Sequence, residues 1–248
     1  MKKLPQKLFL GILLSIILTQ SALCQTAYLN QFQYSSINDL TLSRVTQVIG
    51  NSGLQVVAGG HKTPNEEQVT EPFIAQLNPN GTVQWFFNLI PQGYGANTNF
   101  YITSIIATVD GSGNPNGYLV SLFFDTAPWK SIFIHRTLSG GSDWQKVLDI
   151  GPNNMMPVTS VIQCSQANNY SYAFTAFTGN PRVLVLGKLD VTGTSITLRK
   201  YGNSAFSQEP PYVIKENAST GNFVASYTAN DTAAGIRRLH LLELGSGN

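Results

Sequence analysis

Four segments of this chain open with the same kind of apolar strand, and they recur at nearly even intervals. "RVTQVI" has its first apolar residue at Val45, "YITSII" at Ile102, "PVTSVI" at Val158 and "YVIKEN" at Val213, giving spacings of 57, 56 and 55 residues. The first three share the order apolar, Thr, polar, apolar, Ile; the fourth is aligned by position. Such a period constrains the fold strongly. Each unit must be one supersecondary piece that buries its apolar faces by stacking on its neighbours.

The same elements follow each opening. A second strand reads "LQVVAGG", "YLVSLFF", "YSYAFTAF" and "NFVASYTA", and a third reads "PFIAQL", "SIFIHRTL", "VLVLGKL" and "RRLHLLEL". Glycine turns come next, and three units add a fourth strand: "TVQWFFNLI", "SDWQKVLDI" and "SITLRKYG". β-branched and aromatic residues dominate the runs, with turn residues between them. No amphipathic helix is evident after residue 24. Each unit therefore reads as four antiparallel strands, the build of a β-propeller blade. The expected fold is all-β: a four-bladed β-propeller with blades near 45–90, 102–150, 158–202 and 213–248. The fourth unit has no outer strand after its turn, whereas "TAYLNQFQY" precedes the first opening. Residues 26–34 are thus expected to complete the last blade, leaving no edge to recruit other chains. Two alternatives stay open. The same strand could complete a neighbouring molecule, giving a filament, or the chain could be a β-sandwich.

The first residues predict the compartment. Lys2, Lys3 and Lys7 precede an apolar or small-residue run from Leu8 to Leu18, and Ala22-Leu23-Cys24 places small residues before Gln25. That is the layout of a secretory signal peptide over residues 1–24. The run is short for a membrane span, which needs roughly 20 residues, and Leu23 fits poorly before a lipid-modified Cys24. Cleavage before Gln25 leaves a single domain, 25–248, of 224 residues, or four units of 56, in the extracellular space, on the cell surface or in the periplasm. Its formal charge falls from +2 to −1, so nothing argues for nucleic acid. One thiol, Cys164, remains and is read as a small buried hydrophobe.

"FIAQLNPNGTVQWFFNL" and "LGKLDVTGTSITLRKYG" resemble secreted β-propeller repeats whose third strand ends Leu-Asp-x-x-Gly before an aromatic outer strand. The resemblance implies a binding, scaffolding or surface-associated module, and no catalytic residue carries over with it. Ser139-Gly140-Gly141 departs from the pattern by lacking the acid.

In such blades the short glycine turns fall at one end and longer loops at the other. The long-loop end gathers Tyr94, Phe100, Trp129, Met155, Met156, Phe206 and Tyr212, the candidate residues for a glycan or protein partner. Packing of the blade ends is the competing reading. "SSINDLTLSR" and "GNSAFSQEPPY" are assigned to these loops, as is His61; His135 and His240 fall in third strands. No two histidines have metal-ligand spacing, and no cofactor is expected. Asp110, Ser112 and Asn114, with Asn116, alternate as oxygen donors do in calcium loops, but no downstream Glu follows, so a hairpin turn is favoured. Glu66, Glu67 and Glu71 with Lys62 read as a solvated charge run. Asn80, Asn169, Asn217 and Asn230 begin Asn-x-Ser/Thr sequons. Trp85 and Trp144 take matching places in outer strands and are expected to pack against blades. The function expected is a non-catalytic binding or scaffold module, a monomer for preference. A filament subunit and a polysaccharide-active hydrolase or lyase are the alternatives.

Overall fold

The computed structural model describes residues 38–50, 53–64, 71–78, 82–95, 99–124, 130–148, 157–178, 183–201, 207–231 and 236–245. They form fifteen strands in four antiparallel sheets, and the chain meanders through each sheet in order. The first sheet holds β1 (Asn38–Gly50), β2 (Gly53–Pro64), β3 (Glu71–Leu77) and β4 (Val83–Asn88). The second holds β5 (Phe100–Val109), β6 (Pro115–Phe124), β7 (Lys130–Thr137) and β8 (Ser142–Leu148). The third holds β9 (Ser160–Gln163), β10 (Tyr172–Thr178), β11 (Val183–Leu189) and β12 (Ile196–Tyr201). The fourth has three strands among the described residues: β13 (Ser207–Glu216), β14 (Phe223–Asp231) and β15 (Ile236–Leu244). The one helical piece among them is a three-residue 3-10 turn, Gln166–Asn168. None of these residues forms a helix long and apolar enough to cross a membrane.

The sheets stack in chain order. β1 packs on β5, β5 on β9 and β9 on β13, so the first strand of each sheet lies against the first strand of the next. Three apolar clusters fill the gaps. Ile74 and Leu89 meet Ile102, Tyr118, Val120 and Ile132 between the first two sheets. Leu119, Phe133 and Leu148 meet Val161, Tyr172, Phe174 and Val185 between the second and third. Cys164, Ala173 and Leu186 meet Ile214, Phe223 and Leu244 between the third and fourth. In β6, Tyr118, Val120 and Leu122 point one way and Leu119 the other. Burial on both faces explains why these middle strands read as unbroken apolar runs rather than alternating ones.

The threonine shared by the repeats ties first strands to second strands. Thr103 sits at a bulge between Ile102 and Ser104, and its hydroxyl meets Ser121 Oγ at 2.7 Å. Thr159 Oγ1 meets Thr175 Oγ1 at 3.1 Å in the corresponding place.

Three expectations change. "NDLTLSR" and "SQEPPY" are strand rather than loop, as β1 starts at Asn38 and β13 at Ser207. Pro210 and Pro211 pointed to a loop because proline usually breaks a ladder. Here the register jumps from Glu209 to Val213, which leaves both prolines in a bulge where no amide is required. His61 likewise lies in β2, opposite Thr41 and Pro72. Finally, Glu216 pairs with Phe223 as Gln163 pairs with Tyr172, so the fourth unit follows the third by 53 residues rather than 55. The bulge absorbs the offset that spacing alone had hidden.

Candidate functional site

Of the seven residues expected at the long-loop end, Trp129, Met155, Met156 and Phe206 lie outside the described residues, as do Glu66, Glu67 and Asn80. Tyr212 falls within β13, its side chain outside those described. Tyr94 and Phe100 come together with Phe124. Tyr94 meets Phe100 edge-on at 5.2 Å and Phe124 at 5.5 Å. Phe100 is only 1 % exposed, so it supports its neighbour and cannot itself touch a ligand. Tyr94 is partly exposed above it. Its loop is clamped by Gln145, whose side chain accepts from the Gln92 amide at 2.8 Å and donates to the Gln92 carbonyl at 3.2 Å. An aromatic ring held from behind and along its loop loses little entropy on binding.

The joints between sheets are the most organised sites. In the first joint Trp85 of β4 meets Tyr118 of β6 at 6.0 Å, and its ring lies against Gly140. In the second, Trp144 of β8 meets Tyr172 of β10 at 6.2 Å and lies against Gly193. Each indole thus wedges between the second strand and the glycine turn of the following sheet, as expected of packing tryptophans. Burial pushes the Tyr118 phenol up to about 12 and the Tyr172 phenol higher still.

A triad-like chain lies beside the second wedge. His135 stacks on Trp144 at 5.4 Å with planes 10° apart. Its Nδ1 meets Asp143 Oδ2 at 2.9 Å and its Nε2 meets Thr108 Oγ1 at 2.9 Å. An ionised carboxylate only accepts, so Nδ1 carries a proton. The geometry resembles a nucleophile, base and acid in series. Two facts argue against that use. Thr108 is 2 % exposed and His135 1 %, so no substrate can reach the hydroxyl. The hydroxyl proton is also engaged by Asn116 Oδ1 at 2.7 Å. Burial holds the imidazole below its ordinary value, and Asp143 opposes that only in part. No single motif announces this network: its members lie 27 and 8 residues from His135.

The joint between the third and fourth sheets carries a polar cluster beside its apolar one. Glu216 accepts from Ser165 N at 2.5 Å and from Asn168 Nδ2, while Lys188 Nζ donates to Asn168 Oδ1 at 2.9 Å. The Asn168 amide thus bridges a cation and an anion. Gln163 makes the equivalent clamp one sheet earlier, to both backbone groups of Val109 at 2.6 and 2.7 Å.

The Asp110 carboxylate is turned inward. Its Oδ1 accepts the amides of Ser112 and Asn114 at 2.8 and 2.9 Å, which hold the carboxyl below the usual range. Asp190 does the same with Thr192 and Thr194, and Asn217 with Ser219. Among the described residues, no three His, Cys, Asp or Glu side chains gather as a metal would need. Asp110, Ser112 and Asn114 build a hairpin tip whose hydrogen bonding recurs at Asp190 and Asn217. Cys164 is buried, with its thiol pushed up to about 11, and the Tyr227 ring stacks on His240 at 5.0 Å. Of the sequons, Asn169 and Asn217 occupy turns and Asn230 lies in β14.

Comparison with protein-family models gives no match, and comparison with curated proteins gives none either.

Proposed function

We propose that this chain is a secreted, non-catalytic four-bladed β-propeller of the repeat type it resembles, recognising a glycan or a protein at the long-loop end of its sheets. The observation that carries the binding reading is Tyr94, a partly exposed ring backed by Phe100 and Phe124 on a clamped loop. The competing hydrolase or lyase reading loses support from its best constellation, since Thr108 and His135 are buried away from any substrate. The propeller reading is supported by first strands that stack in series through all four sheets. It is supported also by the fourth sheet, whose face away from the third carries exposed Val213, Val224, Leu239 and Leu241. In the proposed ring, strand 26–34 pairs with β15 and the first sheet covers that face.

A glycan-array and pull-down screen of the mature chain tests the function. Tyr94→Ala is expected to weaken capture at least tenfold with the melting temperature within a few degrees of wild type, as for loss of an aromatic anchor. Unchanged capture by that variant moves the site elsewhere. The exposed face also favours a second reading, in which the strand and its cover come from a neighbouring chain. Light scattering at micromolar concentration separates the two: a single mature-chain mass supports self-closure, and growing polymers support donation.

A further inference from the structure

The polar cluster of the third joint holds three groups in an order that chemistry can use. Lys188 Nζ, on β11, donates to Asn168 Oδ1 at 2.9 Å. On the other side of the same carboxamide, Asn168 Nδ2 donates to Glu216 Oε1 and to the Gly221 carbonyl, the latter at 3.0 Å. Glu216 is fixed in turn by Ser165, which gives its amide to Oε2 at 2.5 Å and its hydroxyl to Oε1 at 3.2 Å. A primary amine, a carboxamide and a carboxylate thus stand in series, drawn from positions 20 and 48 residues apart.

The surroundings hold these groups still and keep water back. Asn168 is 9 % exposed, and Lys188 Nζ lies 5.0 Å over the buried Phe223 ring. Asn169 and Tyr170, with φ of 53° and 52°, put two consecutive non-glycine residues in the left-handed region just after Asn168. Such backbone persists only where its neighbours over-determine it. The Asn169 amide is given to the Gln166 carbonyl at 2.9 Å, so the ordinary closure of an asparagine onto the following amide is opposed.

We propose that Lys188 and Asn168 join in an intramolecular isopeptide bond, with Glu216 as the proton carrier. The Lys188 amine, as its free base, attacks Asn168 Cγ; the Nζ–Cγ bond forms and the carbonyl electron pair moves to Oδ1. Nζ and Nδ2 then share one carbon, within reach of the Glu216 carboxylate, which takes a proton from Nζ and gives one to Nδ2. The electron pair returns from Oδ1, the Cγ–Nδ2 bond breaks and ammonia leaves. Fixing the amine beside the amide replaces the high concentration that an intermolecular aminolysis needs, and the carboxylate removes the proton-transfer barrier. The link fastens the turn before β10 to β11. Because Glu216 comes from β13, it forms only once the fourth sheet has docked. It depends neither on the partner proposed at Tyr94 nor on how the chain closes.

Trypsin digestion of the folded mature protein, read by mass spectrometry, is the test. A linked Lys188 escapes cleavage, so segment 147–182 should appear joined to 183–199, lighter than their sum by one ammonia, about 17 Da. Locating the loss in this species separates it from cyclisation of Gln25, which also releases ammonia. Lys188→Arg, which keeps the charge but lacks the amine, should give free 147–182. Followed from the start of refolding, Glu216→Gln should link at least about tenfold more slowly. Should either variant misfold, the wild-type digest still decides. Free 147–182 and 183–188 as the whole yield from folded wild type, or an unchanged rate in Glu216→Gln, would overturn the proposal.

Discussion

His135 is a histidine whose folded surroundings oppose its charge. Burial lowers its affinity for a proton, and the single carboxylate at Nδ1 offsets this only in part. The unfolded chain, with imidazole near about 6.5, binds that proton more readily. Protons are therefore taken up on unfolding between the folded pKa and about 6.5, and stability rises with pH through that window. As pH falls below about 6.5, the native state should lose up to ~1.4 kcal/mol per pH unit from this group. Asp110, whose carboxyl is held low by turn amides, and Asp190, held low by the Thr192 hydroxyl and then by turn amides, act in the other pH range. Their contribution is present above about 4 and is lost only as pH falls below it. Melting temperatures of wild type and His135→Gln between pH 5 and 8 check this: the variant should be less stable at pH 8 and nearly flat above pH 5. A parallel slope in both proteins would assign it to other groups. The sequence shows His135 in a third strand but not its charge environment, because Thr108 and Asp143 reach it only through strand pairing. Cys164 was more legible, since a lone thiol at the end of an apolar strand has few alternatives to burial.

At the level of turns and strands, the glycines next to the wedges carry information that the glycine in an open loop does not. Gly193 has φ +70° and its Cβ would fall inside the Trp144 ring, whereas Gly93 has φ +88° with open space around it. Both resist alanine through backbone strain worth about 1 kcal/mol. Only Gly193 adds a clash, which must push an indole out of its seat. Gly193→Ala is expected to destabilise by about 3 kcal/mol or more and Gly93→Ala by about 1, read from urea midpoints at constant slope. Trp144→Ala should cost about 3 kcal/mol, and combining it with Gly193→Ala should cost less than the sum, because the clash vanishes with the ring. The turn and the tryptophan were visible as a repeated phrase. Their partner was not, since an indole that ends one unit finds its seat in the next. The same limit explains the fourth unit. Apolar spacing located it, but only strand pairing revealed the bulge at Pro210 and Pro211.

At the scale of the molecule, what covers the fourth sheet decides whether the chain closes on itself. Leu239 is 68 % exposed and Leu241 73 %, on the same face as Val213 and Val224. Leu242 and Leu244, pointing the other way on the same strand, belong to the third joint. A strand that is apolar on both sides is the pattern of a middle strand, as β7 and β11 are in their sheets. β15 thus has the sequence of a strand meant to have a neighbour and a second packed sheet, and in the proposed ring both arrive, from residues 26–34 and from the first sheet. Leu241→Asp decides the matter energetically. On a solvated face the change should stay within about 0.5 kcal/mol. In a closed ring it buries a carboxylate in an apolar joint and should cost about 3 kcal/mol or more. Deleting residues 26–34 should bring a comparable loss. It should also shrink the difference between wild type and Leu241→Asp, because the strand that ties the first sheet over that face is then gone. Donation between chains predicts the same costs, but with a midpoint that rises with protein concentration, whereas self-closure predicts none.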